Sequence, residues 1–234
     1  MSIDGPGPRG RRDRPAKPAL SRSGIVAAAV GLMRAEGLRR VTMRRLAREL
    51  DTGAASLYVY VRNTAELHAA VLDERLSTVD LSPVAAAGDW RDRLIRVLLS
   101  YAGVLFDNPG LAATALATRP HGPGYQRLLE AVLTLLDEGG MPRDRSAWLL
   151  DLLLQYATAT AAEHADTGDG ADAAALDAAR RSLADSAHPR LVAAGTELFA
   201  GTPAQRMDWA FRVLINGAAN TPLPTVDDPE GTSS

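Results

Sequence analysis

The chain has no cysteine and a single lysine, Lys17, and aromatic residues fill only 5% of its 234 positions. Without cysteine, neither a secreted disulfide scaffold nor a thiolate metal site is available. With so few aromatics the core must be built from Leu, Ala and Val, which suits packed helices better than sheets; hydrophobic residues at 46% are enough for one. No apolar run approaches the roughly 20 residues of a membrane span, and the N-terminus lacks the apolar centre of a secretion signal. A cytoplasmic protein with no membrane contact is expected. The four histidines, His68, His121, His164 and His188, lack metal-ligand spacing. There is no HExxH, no glycine-rich phosphate loop and no Ser/His/Asp arrangement, so no enzyme, metal or cofactor is expected.

What is present is arginine, unevenly placed. Residues 1–75 carry 14 Lys+Arg against 8 Asp+Glu, a net of +6, and the remainder 12 against 20, a net of −8, together the overall −2. A basic front on an acidic back fits a polyanion-binding head on a body with another task.

Residues 1–20, rich in Gly, Pro and Arg without a hydrophobic period, read as a disordered basic arm, and 220–234 as a disordered acidic tail. Between them the pattern is helical throughout. Ser21 or Ser23 can cap a first helix with Ile25, Ala29, Leu32 and Met33 on its apolar face and Gly37 as its stop. Thr42 caps a second, with Met43, Leu46, Ala47 and Leu50 at helical spacing. After an Asp51-Thr52-Gly53 break comes a brief helix over about 54–60, then a fourth over about 64–78. Past a linker at 83–88, periodic segments lie near 89–107, 109–117, 123–138 and 143–166, weaker ones near 172–185 and 189–200, and a last over 203–219. Prolines 109, 123, 142, 189 and 203 stand near their starts, where a missing N–H does no harm. The expected fold is all-α: a three-helix helix-turn-helix domain over 21–72, then a larger ligand-binding and dimerisation domain over 73–219.

The informative stretch is Thr42–Leu67, TMRRLARELDTGAASLYVYVRNTAEL. It reads as a helix, a tight turn and a short helix with Leu57 and Val61 inward. Ala55, Ser56, Tyr58, Val59, Tyr60 and Arg62 then face outward. Adjacent outward aromatics would waste apolar surface in water, but suit a recognition helix in a major groove; packing against the fourth helix is the other role open to Tyr58 and Tyr60. Small Ala54, Ala55 and Ser56 would permit close approach to base edges. Arg44, Arg45 and Arg48 could reach phosphates.

This run, with T-x-x-x-L-A in Thr42–Ala47 and LYxYVxN in Leu57–Asn63, resembles the DNA-binding domain of TetR-type repressors. The resemblance implies that Thr42 caps the second helix beside the DNA backbone. It also implies that Arg44 and Arg45 touch phosphate or a base edge, and that Ser56, Tyr58, Val59 and Tyr60 face the groove. Two departures stand out. Asp51 replaces the usual turn glycine, and Asp tolerates a left-handed backbone better than most residues. Thr64 replaces a phosphate-contacting lysine at the start of the fourth helix, where its hydroxyl could instead cap.

Asp89–Leu94 (DWRDRL), Thr118-Arg119-Pro120 and Tyr125 are similar to the tetracycline-repressor subgroup, whose Thr-Arg-Pro turn borders the inducer pocket. Val97 and Ala115 stand where that subgroup carries drug-binding polar groups, so the expected ligand is a different, more apolar small molecule, with no metal. The expected pocket residues are Val97, Tyr101, Leu105, Leu116, Thr118, Arg119, Trp148, Leu152, Gln155 and Tyr156. Arg119 is favoured for a ligand-linked role, and His164 most simply places a cation at a helix end. Trp148 could also anchor core, and Gln155 and Tyr156 could lie in a dimer seam. The resemblance favours a dimer bundle from 143–166 and 203–219, where ordinary core is the alternative. The functional expectation is a homodimeric repressor on a palindromic operator in double-stranded DNA, released by a small-molecule inducer. An activator or co-ligand-dependent regulator of the same fold is the alternative.

Overall fold

The computed structural model describes residues 20–118, 120–163 and 169–224, and among these every regular element is a helix. The first, α1 (Arg22–Glu36), starts where the Ser21 side chain accepts the Gly24 N–H. It stops at Gly37, whose φ of 83° and ψ of 157° are essentially closed to other residues. A single 3-10 turn, Leu38–Arg40, leads to α2 (Met43–Glu49). As expected, Thr42 caps α2, its hydroxyl taking the Arg45 N–H at 3.2 Å. Among the described residues, Asp51 alone of the non-glycines has positive φ, 47°, which lets the chain reverse into α3 (Ala54–Leu57). Then comes α4 (Thr64–Leu76). Its cap is Asn63, which accepts the Glu66 N–H at 2.8 Å, and Thr64 is already inside the helix. An Asn side chain one position earlier serves the same orphan amide, so the expected Thr64 cap gives way.

Ile25, Ala29, Leu46, Leu57, Leu67 and Val71 meet with no exposure and close the core of this head. At about 1.5–3 kcal/mol for each fully buried large aliphatic side chain, that cluster is what holds helices this short. His68 ties it together laterally, its Nε2 lying 2.7 Å from the Val41 carbonyl oxygen.

The body comprises α5 (Trp90–Phe106), α6 (Pro109–Thr118), α7 (Pro123–Glu138), α8 (Arg143–Glu163), α9 (Asp169–Ala184), α10 (Pro189–Ala194) and α11 (Pro203–Asn220). The long α8 is its spine, packing on α5, α6, α7 and α11. Where a plain linker was expected at 83–88, a 3-10 turn, Ser82–Ala85, joins head to body. Arg93 of α5 straps that turn: it is buried, donates from Nη1 to the Val84 and Ala86 carbonyls at 3.0 and 2.9 Å, and pairs through Nη2 with Glu138 at the end of α7. The head reaches the body mainly through α4, which lies against α6 and α7. The sheath α9–α10 packs mostly on itself and on a 3-10 turn at Gly195–Phe199. No helix among the described residues is long and apolar enough to cross a membrane.

Candidate nucleic-acid interface and ligand cleft

Because α3 is one turn long and is followed by a turn, the side chains after Leu57 do not follow a helical wheel. Leu57 and Val61 are buried, which leaves Tyr58 53% and Val59 79% exposed. Ala55 and Ser56 are exposed beside them, with Ala54 half-buried at the start of the helix. Tyr60 departs from the expectation. It is half-buried, packs on the core, and its hydroxyl donates to the Leu20 carbonyl at 2.7 Å. The turn rotates this ring inward, so its hydroxyl is spent on the start of α1. Leu20, within the stretch read as a basic arm, is thereby part of the packed head.

The arginines divide. Arg44 and Arg48 are exposed. Arg45 is bound within the head, to Glu36 at 2.5 Å and Glu49 at 2.9 Å. Its hydrogen bond holds the Glu36 carboxyl below the ordinary value, while the two carboxylates raise the guanidinium. A phosphate contact by Arg45 would have to compete with two carboxylates. Arg62 pairs with Glu66 at 3.0 Å and also gives Glu66 its backbone N–H.

In the body a cleft of about 360 Å³ opens among α5, α6, α7 and α8. From α8 come Asp151, Leu154, Gln155 and Thr158; Tyr101, Ala115, Leu116, Pro120 and Tyr125 close the other sides. The Tyr101 hydroxyl lies 2.6 Å from the Thr158 hydroxyl, which donates to the Leu154 carbonyl at 2.7 Å. Burial pushes the Tyr101 phenol up to about 12. The cleft can therefore offer a neutral phenol and hydroxyl at its floor, with an amide and a carboxylate alongside. This is more polar than the apolar pocket expected.

Of the expected pocket residues, Tyr101, Leu116 and Gln155 line this cleft. Val97 and Leu105 do not: with no exposure, both belong to the shared core of α5. The hydroxyl of Thr118 is turned back to the Thr114 carbonyl, and the residue borders a groove between head and body instead. Trp148 and Leu152 sit on the outer side of α8 in a separate groove of about 520 Å³ against α11, and Tyr156 packs edge-on against Phe211 of α11, ring centres 5.7 Å apart. Arg119 and His164 lie outside the described residues. Sequence reasoning missed Asp151, Leu154 and Thr158, though with Gln155 they form an i, i+3, i+4, i+7 stripe of mixed polarity that could have marked the cleft wall.

The groove holding Trp148 belongs to a wider apolar surface. Trp148 is 56% and Trp209 67% exposed, and Leu152 and Val213 lie open between the same two helices. On the inner side of α11, Met207, Phe211 and Ile215 are buried against the body, the ordinary-core alternative for this stripe.

Known proteins match both halves. A family model described as bacterial regulatory proteins, tetR family, matches residues 25–71, and one for the tetracycline repressor-like C-terminal domain matches 82–218. An HTH-type transcriptional regulator of Saccharopolyspora erythraea is 38% identical over 128 residues, 54% of this chain and 53% of that protein. The repressor DrrR1 of Streptomyces coeruleorubidus is 35% identical over 133 residues, 56% and 49% of the two chains. The chain thus spans about half the length of the curated relatives it matches. Among solved structures, the Streptomyces coelicolor protein SCO7704, described as a transcription regulator, is 54% identical, covering 89% of this chain and 98% of that one at a TM-score of 0.72. ActR of the same organism, in complex with actinorhodin, is 30% identical over 86% of this chain and 96% of its own, at 0.78.

Proposed function

Since the chain belongs to the tetR family of bacterial regulatory proteins, we propose that it is a ligand-responsive repressor that grips a palindromic operator as a homodimer and lets go when a small molecule fills the body cleft. The observation that carries this reading is the exposed pair Tyr58 and Val59 at the end of α3. The fold gives that apolar surface no partner, and it sits beside small residues and the exposed Arg44 and Arg48. On a major groove, Val59 and the Tyr58 ring would meet thymine methyls and base edges, and the arginines the phosphates. Thr42, Ala54, Ala55, Ser56 and Arg62 complete the DNA-facing set. Tyr60 and Arg45 act behind it, as braces.

One helix-turn-helix reads too few base pairs to be useful alone, so two heads on a two-fold site are required. The outer face of α8 and α11, with Trp148, Leu152, Trp209 and Val213, is the surface that would join them. The ligand reading is supported by the cleft itself, at the small end of ligand-pocket volumes of roughly 300–1,000 Å³, and by ActR, whose fold this chain shares and which holds actinorhodin. Tyr101, Thr158, Gln155 and Asp151 would select a compact ligand with several polar groups.

Footprinting on the DNA upstream of the protein's own gene, with sedimentation of the free and bound protein, tests the proposal. A symmetric protected site occupied by two chains is expected; binding of one chain, or indifference to every duplex tried, would sink it. Repeating the footprint with candidate small molecules separates release from ligand-dependent binding, because the sign of coupling follows which state the ligand prefers.

A further inference from the structure

An α-helix begins with backbone N–H groups that have no partner within the helix. At α7 the residue ahead of the helix is Gly122, which has no side chain to cap them. The acceptor comes instead from the head: Oδ1 of Asp73, on α4, takes the Tyr125 N–H at 3.0 Å. A carboxylate also suits the positive end of a helix. The fit is tight. A Cβ on Gly122 would overlap the Asp73 carboxyl, and one on Gly124 would overlap the Asp73 carbonyl oxygen and stand 3.1 Å from the Ser77 nitrogen. Gly-Pro-Gly at 122–124 is thus shaped to let α4 seat its Asp73 on the start of α7.

Tyr125 is two-sided. Its backbone is held by α4, while its side chain lines the cleft with Tyr101 and Thr158. Pro120, in the same loop, borders the cleft on one side and a groove of about 770 Å³ between head and body on the other. Only a thin wall of chain separates whatever fills the cleft from the helix that sets the head.

We propose that Asp73 is the positioning residue that transmits cleft occupancy to the head: a cap supplied across the domain boundary, so that displacing the first turn of α7 from inside the cleft moves α4. This rests on the repressor reading given above. Apolar packing between α4 and the body is the competing route, and it would carry coupling without Asp73.

The test uses substitution as an occupant. Ala115→Phe places a ring in the cleft, and Leu116→Trp does so from an exposed position should the first variant fold poorly. The full-length protein is compared in wild-type, Asp73→Ala and Asp73→Asn backgrounds, each with and without the filler. Two readouts are taken: affinity for the upstream duplex and hydrogen exchange of the Tyr125 amide. The filler should change duplex affinity tenfold or more in the wild type and less than about twofold with Asp73→Ala. Asp73→Asn, whose amide oxygen can still accept, should retain most of the change. In the absence of DNA, Asp73→Ala or the filler should speed Tyr125 exchange at least tenfold. An equal change of affinity in wild-type and Asp73→Ala proteins overturns the proposal, as does Tyr125 exchange indifferent to both substitutions. Exchange behaving as expected in a protein that ignores every duplex would leave the cap standing and remove the repressor reading.

Discussion

Arg93 offers a quantitative check on what holds head and body together. Its side chain is only 5% exposed, whereas Glu138, its carboxylate partner, is 50% exposed. Removing the guanidinium as Arg93→Met leaves Glu138 to water at little cost, but deprives the Val84 and Ala86 carbonyls of their donor. Bonds from a charged donor contribute about 1.5–3 kcal/mol each. Both carbonyls sit in a half-buried turn that water can partly reach, so the low end applies, about 3 kcal/mol for the pair. The buried Nε of Arg93 has no partner, and losing it returns part of that, giving roughly 2–3 kcal/mol. Glu138→Gln keeps an acceptor at a half-exposed position and should cost under about 1 kcal/mol, in the range of surface pairs. Arg93→Lys, with one ammonium for three dispersed acceptors, should fall between. Urea unfolding of the full chain, at constant denaturant slope, reads all three. Equal losses for Glu138→Gln and Arg93→Met would refute the reasoning, because the ion pair and not the strap on the turn would then be the stabilising element.

Tyr58→Ala or Val59→Ala should weaken specific duplex binding by about 1–3 kcal/mol and leave the unfolding midpoint unmoved, as checked by anisotropy and melting in parallel. Tyr60→Phe should do the reverse, lowering stability by about 0.5–1.5 kcal/mol through the lost Leu20 bond and affecting affinity little. Gly37→Ala has open space around its Cβ, yet should destabilise the head by about 1–3 kcal/mol, since only the backbone resists. Tyr101, with its phenol raised, is stabilising in its neutral form. That contribution is whole below pH 10, the unperturbed value, and is lost as pH climbs through about 12. Tyr101→Phe should remove this alkaline loss from the unfolding profile, and an unchanged profile would assign the loss elsewhere.

The helices were legible because their ends are written locally. Ser21, Thr42, Gly37 and the prolines opening α6, α7 and α11 each act within a few residues of themselves. Asp51, read as tolerant of a left-handed turn, adopts one. What sequence did not reveal depends on partners far along the chain. The inward turn of Tyr60 is decided by Leu20, 40 residues earlier. The Arg45 partner Glu36 is only nine residues earlier, but the corner between α1 and α2 has to form before the two meet. Val97 and Tyr101 lie one turn apart on α5, and only the packing of α6 and α8 decides that one is core and the other cleft. The Asp73 cap spans 52 residues and two structural units, and no local pattern announces it.

The three tryptophans are placed unequally, and that gives the molecule a built-in optical signal. Trp90 is half-buried, with the Arg91 guanidinium 4.4 Å from its ring centre, so its emission is a steady background. Trp148 and Trp209 stand in water on the face of α8 and α11. In the proposed dimer both indoles leave water together, and their fluorescence moves to shorter wavelength. Simple dilution, followed by the colour of that light, would read the strength of self-association without a label, a ligand or a known operator.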